Sequence, residues 1–181
     1  MKITKKHITN IAFVVVIGLL IYPLTKVYFI RLISFAPSVE NVENQQMLQN
    51  IDWKLKGINT KDLNLKSLDD KVVFVSFWAT WCPPCVAEMP SMKVLYEDYK
   101  NKVTFLFITN ENWNTVSNFY SKNTYNFPTY NQVTSTPKEL ESSSIPATFV
   151  LSKDKSIVID KKGPANWNSD AVRDALDKLL K

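Results

Sequence analysis

Cys82 and Cys85 are the only thiols in this 181-residue chain, and they stand together as Cys-Pro-Pro-Cys. A C-x-x-C pair is open to three chemistries: a redox dithiol, half of a metal site, or an inert staple. A zinc site needs two more nitrogen or sulfur ligands. No third cysteine exists, and the single histidine is His7, far up the N-terminal segment. A staple across two residues closes a trivially short loop and adds little stability. The redox reading rests on where the pair sits. A helix N-terminus offers unpaired N–H groups and the positive end of the helix dipole, which favour a thiolate over a thiol. At such a position Cys82 is expected to be the exposed nucleophile with a lowered pKa. Cys85, one turn further in, is the shielded resolving thiol. Pro83 and Pro84 fit a first helical turn, where no N–H partner is available, and they stiffen the dithiol ring.

The flanking patterns supply that position. Residues 72–78 (VVFVSFW) form an apolar run after the turn-like Asp69-Asp70, and predict a fully buried strand. From Cys82 the pattern turns helical, with Val86, Met89, Met92, Leu95 and Tyr99 at three- and four-residue steps. Pro90 falls inside this helix, where a kink is expected. Residues 103–109 predict a second buried strand, and 113–122 a helix facing inward through Val116, Phe119 and Tyr120. Residues 148–151 and 157–159 predict two strands around a turn, and a last helix starts near Ser169. Upstream, Trp53, Leu55, Ile58, Leu63 and Leu65 suggest a short hairpin turning near 57–61. The order β-α-β-α-β-β-α predicts an α/β sandwich around a small mixed sheet.

Charge divides the chain in two. Residues 1–36 hold five basic residues and no acid, leaving 17 basic and 17 acidic residues beyond. The net charge of +5 thus belongs to the N-terminal segment, and a nucleic-acid-binding domain loses its electrostatic support. Three glycines argue against a Gly-rich nucleotide fold. Between Lys6 and Lys26 lie 19 residues without a formal charge. As a helix they rise roughly 28 Å, one hydrocarbon thickness. The expectation is a cytoplasmic tip and a signal-anchor over residues 1–36, with the span at about 8–25. A tether (37–50) and a folded domain (51–181) outside the membrane follow. The competing reading is a signal peptide cut after Ala36. No cysteine lies in the first 36 residues, so a lipoprotein anchor has no attachment point.

The stretch Phe77-Trp78-Ala79-Thr80-Trp81-Cys82-Pro83-Pro84-Cys85, followed by Glu88 and Pro90, resembles the active site of the thioredoxin superfamily. More narrowly it is similar to the membrane-anchored TlpA/ResA/CcmG-like thiol–disulfide oxidoreductases. Ile145-Pro146-Ala147-Thr148-Phe149 matches that family's cis-proline strand, with Pro146 as the cis residue. Residues 125–130 look like its extra strand before the cis-proline, with a loop as the alternative. The resemblance implies a thioredoxin-like three-layer sandwich, a mixed central sheet flanked by helices, carrying an N-terminal transmembrane anchor. It also implies a monomeric domain with no cofactor and no metal. Cys82 would exchange with a protein disulfide through a mixed disulfide, and Cys85 would resolve it. Pro146 would pack against the dithiol, and the Ile145 backbone would pair with the substrate chain. Glu88 matches an acid that tunes the proton affinity of the dithiol; the plain alternative is a solvated helix acid. Trp78 and Trp81 would frame a docking surface around Cys82; core packing explains Trp78 as well, so Trp81 is the better candidate, and Trp167 reads as packing. Thioredoxin's buried aspartate has no match in residues 74–77, which leaves its proton role to Glu88 or to water.

The expected function is an extracytoplasmic reductant of protein disulfides in the bacterial cytoplasmic membrane, facing the periplasm or the cell exterior. A membrane thiol donor would supply its electrons. Apocytochrome c cysteine pairs are a candidate substrate, which would place it in cytochrome c biogenesis. The alternatives are a disulfide-inserting oxidant, a copper or haem delivery module, and a thiol peroxidase. The peroxidase wants a threonine and a proline where Ala79 and Phe77 stand; copper chaperones of this fold use C-x-x-x-C and a histidine.

Overall fold

The computed structural model describes residues 10, 13, 14, 17, 18, 23–39 and 45–181. In chain order they form α1 (Pro23–Ile33), β1 (Lys54–Gly57), β2 (Leu63–Asn64), β3 (Val72–Phe77), α2 (Pro83–Tyr99), β4 (Val103–Ile108), α3 (Trp113–Asn123), β5 (Thr129–Gln132), β6 (Ala147–Leu151), β7 (Ile157–Lys162) and α4 (Asp170–Leu179). Among the described residues the strands make one mixed sheet in the order β2-β1-β5-β4-β3-β6-β7. The pairs β3–β4 and β4–β5 are parallel, and the rest are antiparallel. The expected hairpin is β1–β2, with Leu55 opposite Leu63. Its turn needs Gly57, because a Cβ there would lie 2.1 Å from the Thr60 carbonyl oxygen. Of the expected strand at 125–130, only Thr129 and Tyr130 pair, within β5.

The apolar runs of β3 and β4 read as continuous because both sheet faces are dry. Val72, Phe74, Phe105 and Phe107 point to one core, and Val73, Val75, Leu106 and Ile108 to the other. The expected layering needs correction here. Met89 of α2, Val116 of α3 and Leu176 of α4 all join the first core. The second is closed by Leu65 and Leu140, on two 3-10 turns, with Trp53 and Leu48. Chain geometry explains this. The β3–α2–β4 and β4–α3–β5 crossovers step the same way along the sheet, and right-handed crossovers then put both helices on one face. Helices cover one face, and turns and coil cover the other.

The expected membrane span, residues 8–25, lies mostly outside the described residues. Among the described residues no helix is long and apolar enough to cross a membrane. Helix α1 reaches the domain through Arg31, whose Nε donates to the Ala87 carbonyl at 3.1 Å. Within the expected tether, Leu48 is buried and its N–H donates to Lys155 O at 3.1 Å, beside the sheet edge.

Candidate active site

The site is assembled where β3 ends at the middle of the sheet, with β4 on one side and β6 on the other. This is the switch point of an open α/β sheet, where the connections leave in opposite directions. Trp78 is buried, stacked on Tyr120 with ring centroids 5.6 Å apart. Of the two readings open to it, packing and docking, the buried and stacked ring fits packing. The chain then turns: Cys82 N–H donates to Ala79 O at 3.2 Å. That turn delivers Cys82 to the N-cap of α2, with Pro83 and Pro84 in the first turn. The Cys85 N–H points at Cys82 Sγ, 3.3 Å away. The pair is joined, with an S–S distance of 2.07 Å. One expectation fails in this oxidised form. Cys82 is only 3% exposed, against 1% for Cys85, because its Sγ is folded into the first helical turn by the bond. What faces solvent is Trp81, 72% exposed, together with Pro83.

The Ile145–Pro146 peptide bond is cis. Pro146 is buried and Ile145 half-buried. Gly163 N–H donates to Pro146 O at 2.9 Å and ties the loop after β7 to this corner. Gly163 has φ 85°, a backbone that favours glycine. In front of the motif lies a cleft of about 120 Å³ between Trp81, Glu111 and Ile145. It shares Phe77, Asn110, Gln132 and Ile145 with a wider groove of about 530 Å³ running toward Leu140 and Ser144.

Behind the disulfide the environment is dry. Glu88 follows Cys85 by three residues, so both lie on one helix face. Glu88 is 2% exposed, which removes the solvated-acid alternative. Its Oε2 accepts from Trp167 Nε1 at 2.9 Å and from Ala165 N–H at 3.1 Å. Its Oε1 has no hydrogen-bond partner among the described residues. Burial pushes its pKa up to about 8; the bonds from Trp167 and Ala165 and the charge of Lys161 pull the other way without prevailing. At neutral pH the carboxyl is therefore mostly protonated, a proton store one turn from the dithiol.

The structure thus brings Cys82, Cys85, Trp81, Pro83, Pro84, Glu88, Ile145 and Pro146 to one corner of the sheet. It adds two residues that the sequence did not single out for the site's chemistry. Trp167, read as packing, does pack edge-on against Phe74 with ring centroids 5.1 Å apart, but it also donates to Glu88. Glu111 accepts from Thr80 in the turn before Cys82. No local pattern marks either, since each meets its partner across a long sequence separation. Among the described residues no cluster of histidine, cysteine and carboxylate side chains could hold a metal.

The sequence profile of the Redoxin family matches residues 37–179. The chain belongs to that family. Within it, this redoxin is a TlpA/ResA/CcmG-like member of the thioredoxin superfamily. It is 31% identical over 133 residues to the thiol-disulfide oxidoreductase ResA of Bacillus thuringiensis subsp. konkukian, covering 72% of this chain and 73% of that one. It is 35% identical over 82 residues to ResA of Halalkalibacterium halodurans, covering 44% of this chain and about half, 47%, of that one. Its fold resembles that of a thiol:disulfide interchange protein DsbE from Chlorobium tepidum, with a TM-score of 0.62 at 18% identity, over 76% of this chain and 99% of that one. The Cys82–Cys85 pair stands at disulfide distance at the start of α2, and the ResA relatives are thiol-disulfide oxidoreductases by name.

Proposed function

We propose that this redoxin reduces protein disulfides outside the cytoplasm and is held at the membrane by its N-terminal segment. The observation that carries the direction is Glu88. An oxidant needs a reduced form in which the nucleophilic thiolate is strongly stabilised. Here the α2 N-terminus favours the Cys82 thiolate, but the surroundings one turn beyond it are dry enough to keep Glu88 protonated, and the same desolvation opposes a thiolate on buried Cys85. That balance keeps electrons weakly held, as a donor requires.

In the cycle, the Cys82 thiolate attacks one sulfur of a substrate disulfide and expels the other as a thiolate, which takes up a proton. The Cys85 thiol loses its proton and attacks Cys82 Sγ. The substrate leaves as a dithiol, and two electrons have passed to it. Glu88 supports the proton transfers of Cys85, being on the same face and with a pKa near neutrality. An extended substrate strand would lie along Ile145 beside cis-Pro146, with its flanking residues in the groove behind Trp81. A membrane thiol partner would return the electrons. The resemblance to ResA supports cysteine pairs of apocytochrome c as the substrate class.

The reduction potential of the full chain, equilibrated in thiol buffers and followed by tryptophan fluorescence, tests the direction. A value near or below about −230 mV is expected, and one near about −120 mV would make the protein a disulfide-inserting oxidant.

A further inference from the structure

The Cys82 turn is gripped from outside by a carboxylate that the redox cycle does not use. Thr80 stands two residues before Cys82, inside the turn closed by the Cys82 N–H to Ala79 O bond. Its backbone N–H donates to Glu111 Oε2 and its hydroxyl to Oε1, both at 2.6 Å. Glu111 is itself fixed. Asn131 Nδ2, from β5, donates to Thr109 O at 2.6 Å and Glu111 O at 3.1 Å. The next residue, Asn112, caps α3 through Thr115 N–H at 3.0 Å. A rigid strand end therefore holds both ends of a two-point clamp, with short charge-assisted bonds. The residue after Thr80 is Trp81, the exposed edge of the cleft that Glu111 also lines.

We infer that Glu111 is a positioning residue: it holds the Ala79–Cys82 turn so that Trp81 and Cys82 are presented together to a partner protein. The inference rests on Cys82–Cys85 being the redox pair and is independent of the direction of electron flow. A free turn would still carry a reactive thiol. It would lose the fixed relation between Trp81, the sulfur and the Ile145 edge that an extended protein segment needs. A small disulfide needs none of these.

The test compares second-order rates of the reduced full chain with a protein disulfide, insulin, and a small one, 5,5′-dithiobis(2-nitrobenzoate). Glu111→Ala is expected to react with insulin about tenfold more slowly and with the small disulfide within about threefold of wild type. Glu111→Gln keeps both contacts, since its carbonyl accepts the Thr80 N–H and its amide donates to the hydroxyl oxygen. It lacks the charge, as alanine does, so the difference between the two variants reports the clamp alone. Glu111→Gln is expected within about threefold of wild type on insulin. Thr80→Val, which keeps the N–H bond and loses the hydroxyl, covers the case in which Glu111→Ala does not fold. It is expected to slow insulin by about threefold, and Thr80→Ser to restore it. Wild-type insulin rates in Glu111→Ala overturn the inference. So does a Glu111→Gln as slow as Glu111→Ala, or an equal loss with both disulfides. None of these results depends on the reduction potential, so the direction of the redox reaction stands or falls separately.

Discussion

The disulfide separates two unlike regions. Behind it, Glu88 sits 2% exposed among Trp167, Ala165 and α2, with one oxygen unpartnered among the described residues. In front of it, Trp81 is 72% exposed over an open cleft, and the carboxylate of Glu111 has both oxygens satisfied by Thr80. The two acids are the same residue type and both lie close to the motif. Their surroundings give them different work. Desolvation makes Glu88 a proton holder near neutral pH, whereas hydrogen bonding makes Glu111 a fixed strut. In the proposed cycle, proton energetics would be set on the dry side and recognition on the wet side.

Breaking the division at its centre has the largest effect. Cys85→Ser should lower turnover by at least about three orders of magnitude and accumulate a Cys82–substrate mixed disulfide, visible on non-reducing gels. If no adduct forms with any protein disulfide, Cys82 is not the attacking sulfur.

Next comes the dry side. The folded pKa of Glu88, about 8, lies above its ordinary 4.5. The folded state therefore binds the Glu88 proton more tightly than the unfolded chain does. Its stabilising contribution is fully present below pH 4.5 and is lost as pH rises through about 8. Wild-type unfolding free energy should fall by up to about 4 kcal/mol across that window. In Glu88→Gln this part of the slope should vanish, because the amide stays neutral. Denaturant unfolding at a series of pH values checks this. Equal slopes in the two proteins would mean that Glu88 is ionised in the fold.

The smallest effect is on the wet side. Trp81→Ala should leave stability within about 0.5 kcal/mol, since the ring is largely in water. It should slow reaction with protein disulfides roughly threefold to tenfold and leave small disulfides nearly untouched. A large loss of thermal stability would instead make Trp81 a packing residue, as Trp78 is.

Much of this was legible in one dimension. The runs at 72–78 and 103–109 are strands because residues dry on both sides have no room for polar alternation. The Cys82 N-cap follows from a strand ending just before C-P-P-C. Glu88 was legible by its spacing from Cys85, though whether it would be solvated or dry was not. The layering was misread, because the hand and direction of successive crossovers decide the helix face, and local periodicity does not carry them. Trp167 looked like simple packing because its indole N–H finds its acceptor on α2, 79 residues back.

By itself, then, the sequence determined the cysteine pair, its place at a helix start, the proline loop opposite and the apolar character of the N-terminal segment. These rest on residue type and short spacing, which chain chemistry imposes locally. Only the tertiary structure decided how much water each carboxylate meets. Desolvation of Glu88 and the bonds of Thr80 to Glu111 depend on segments brought together from distant parts of the chain. An acid's proton affinity and a turn's rigidity are properties of those surroundings, and the residue alone does not hold them.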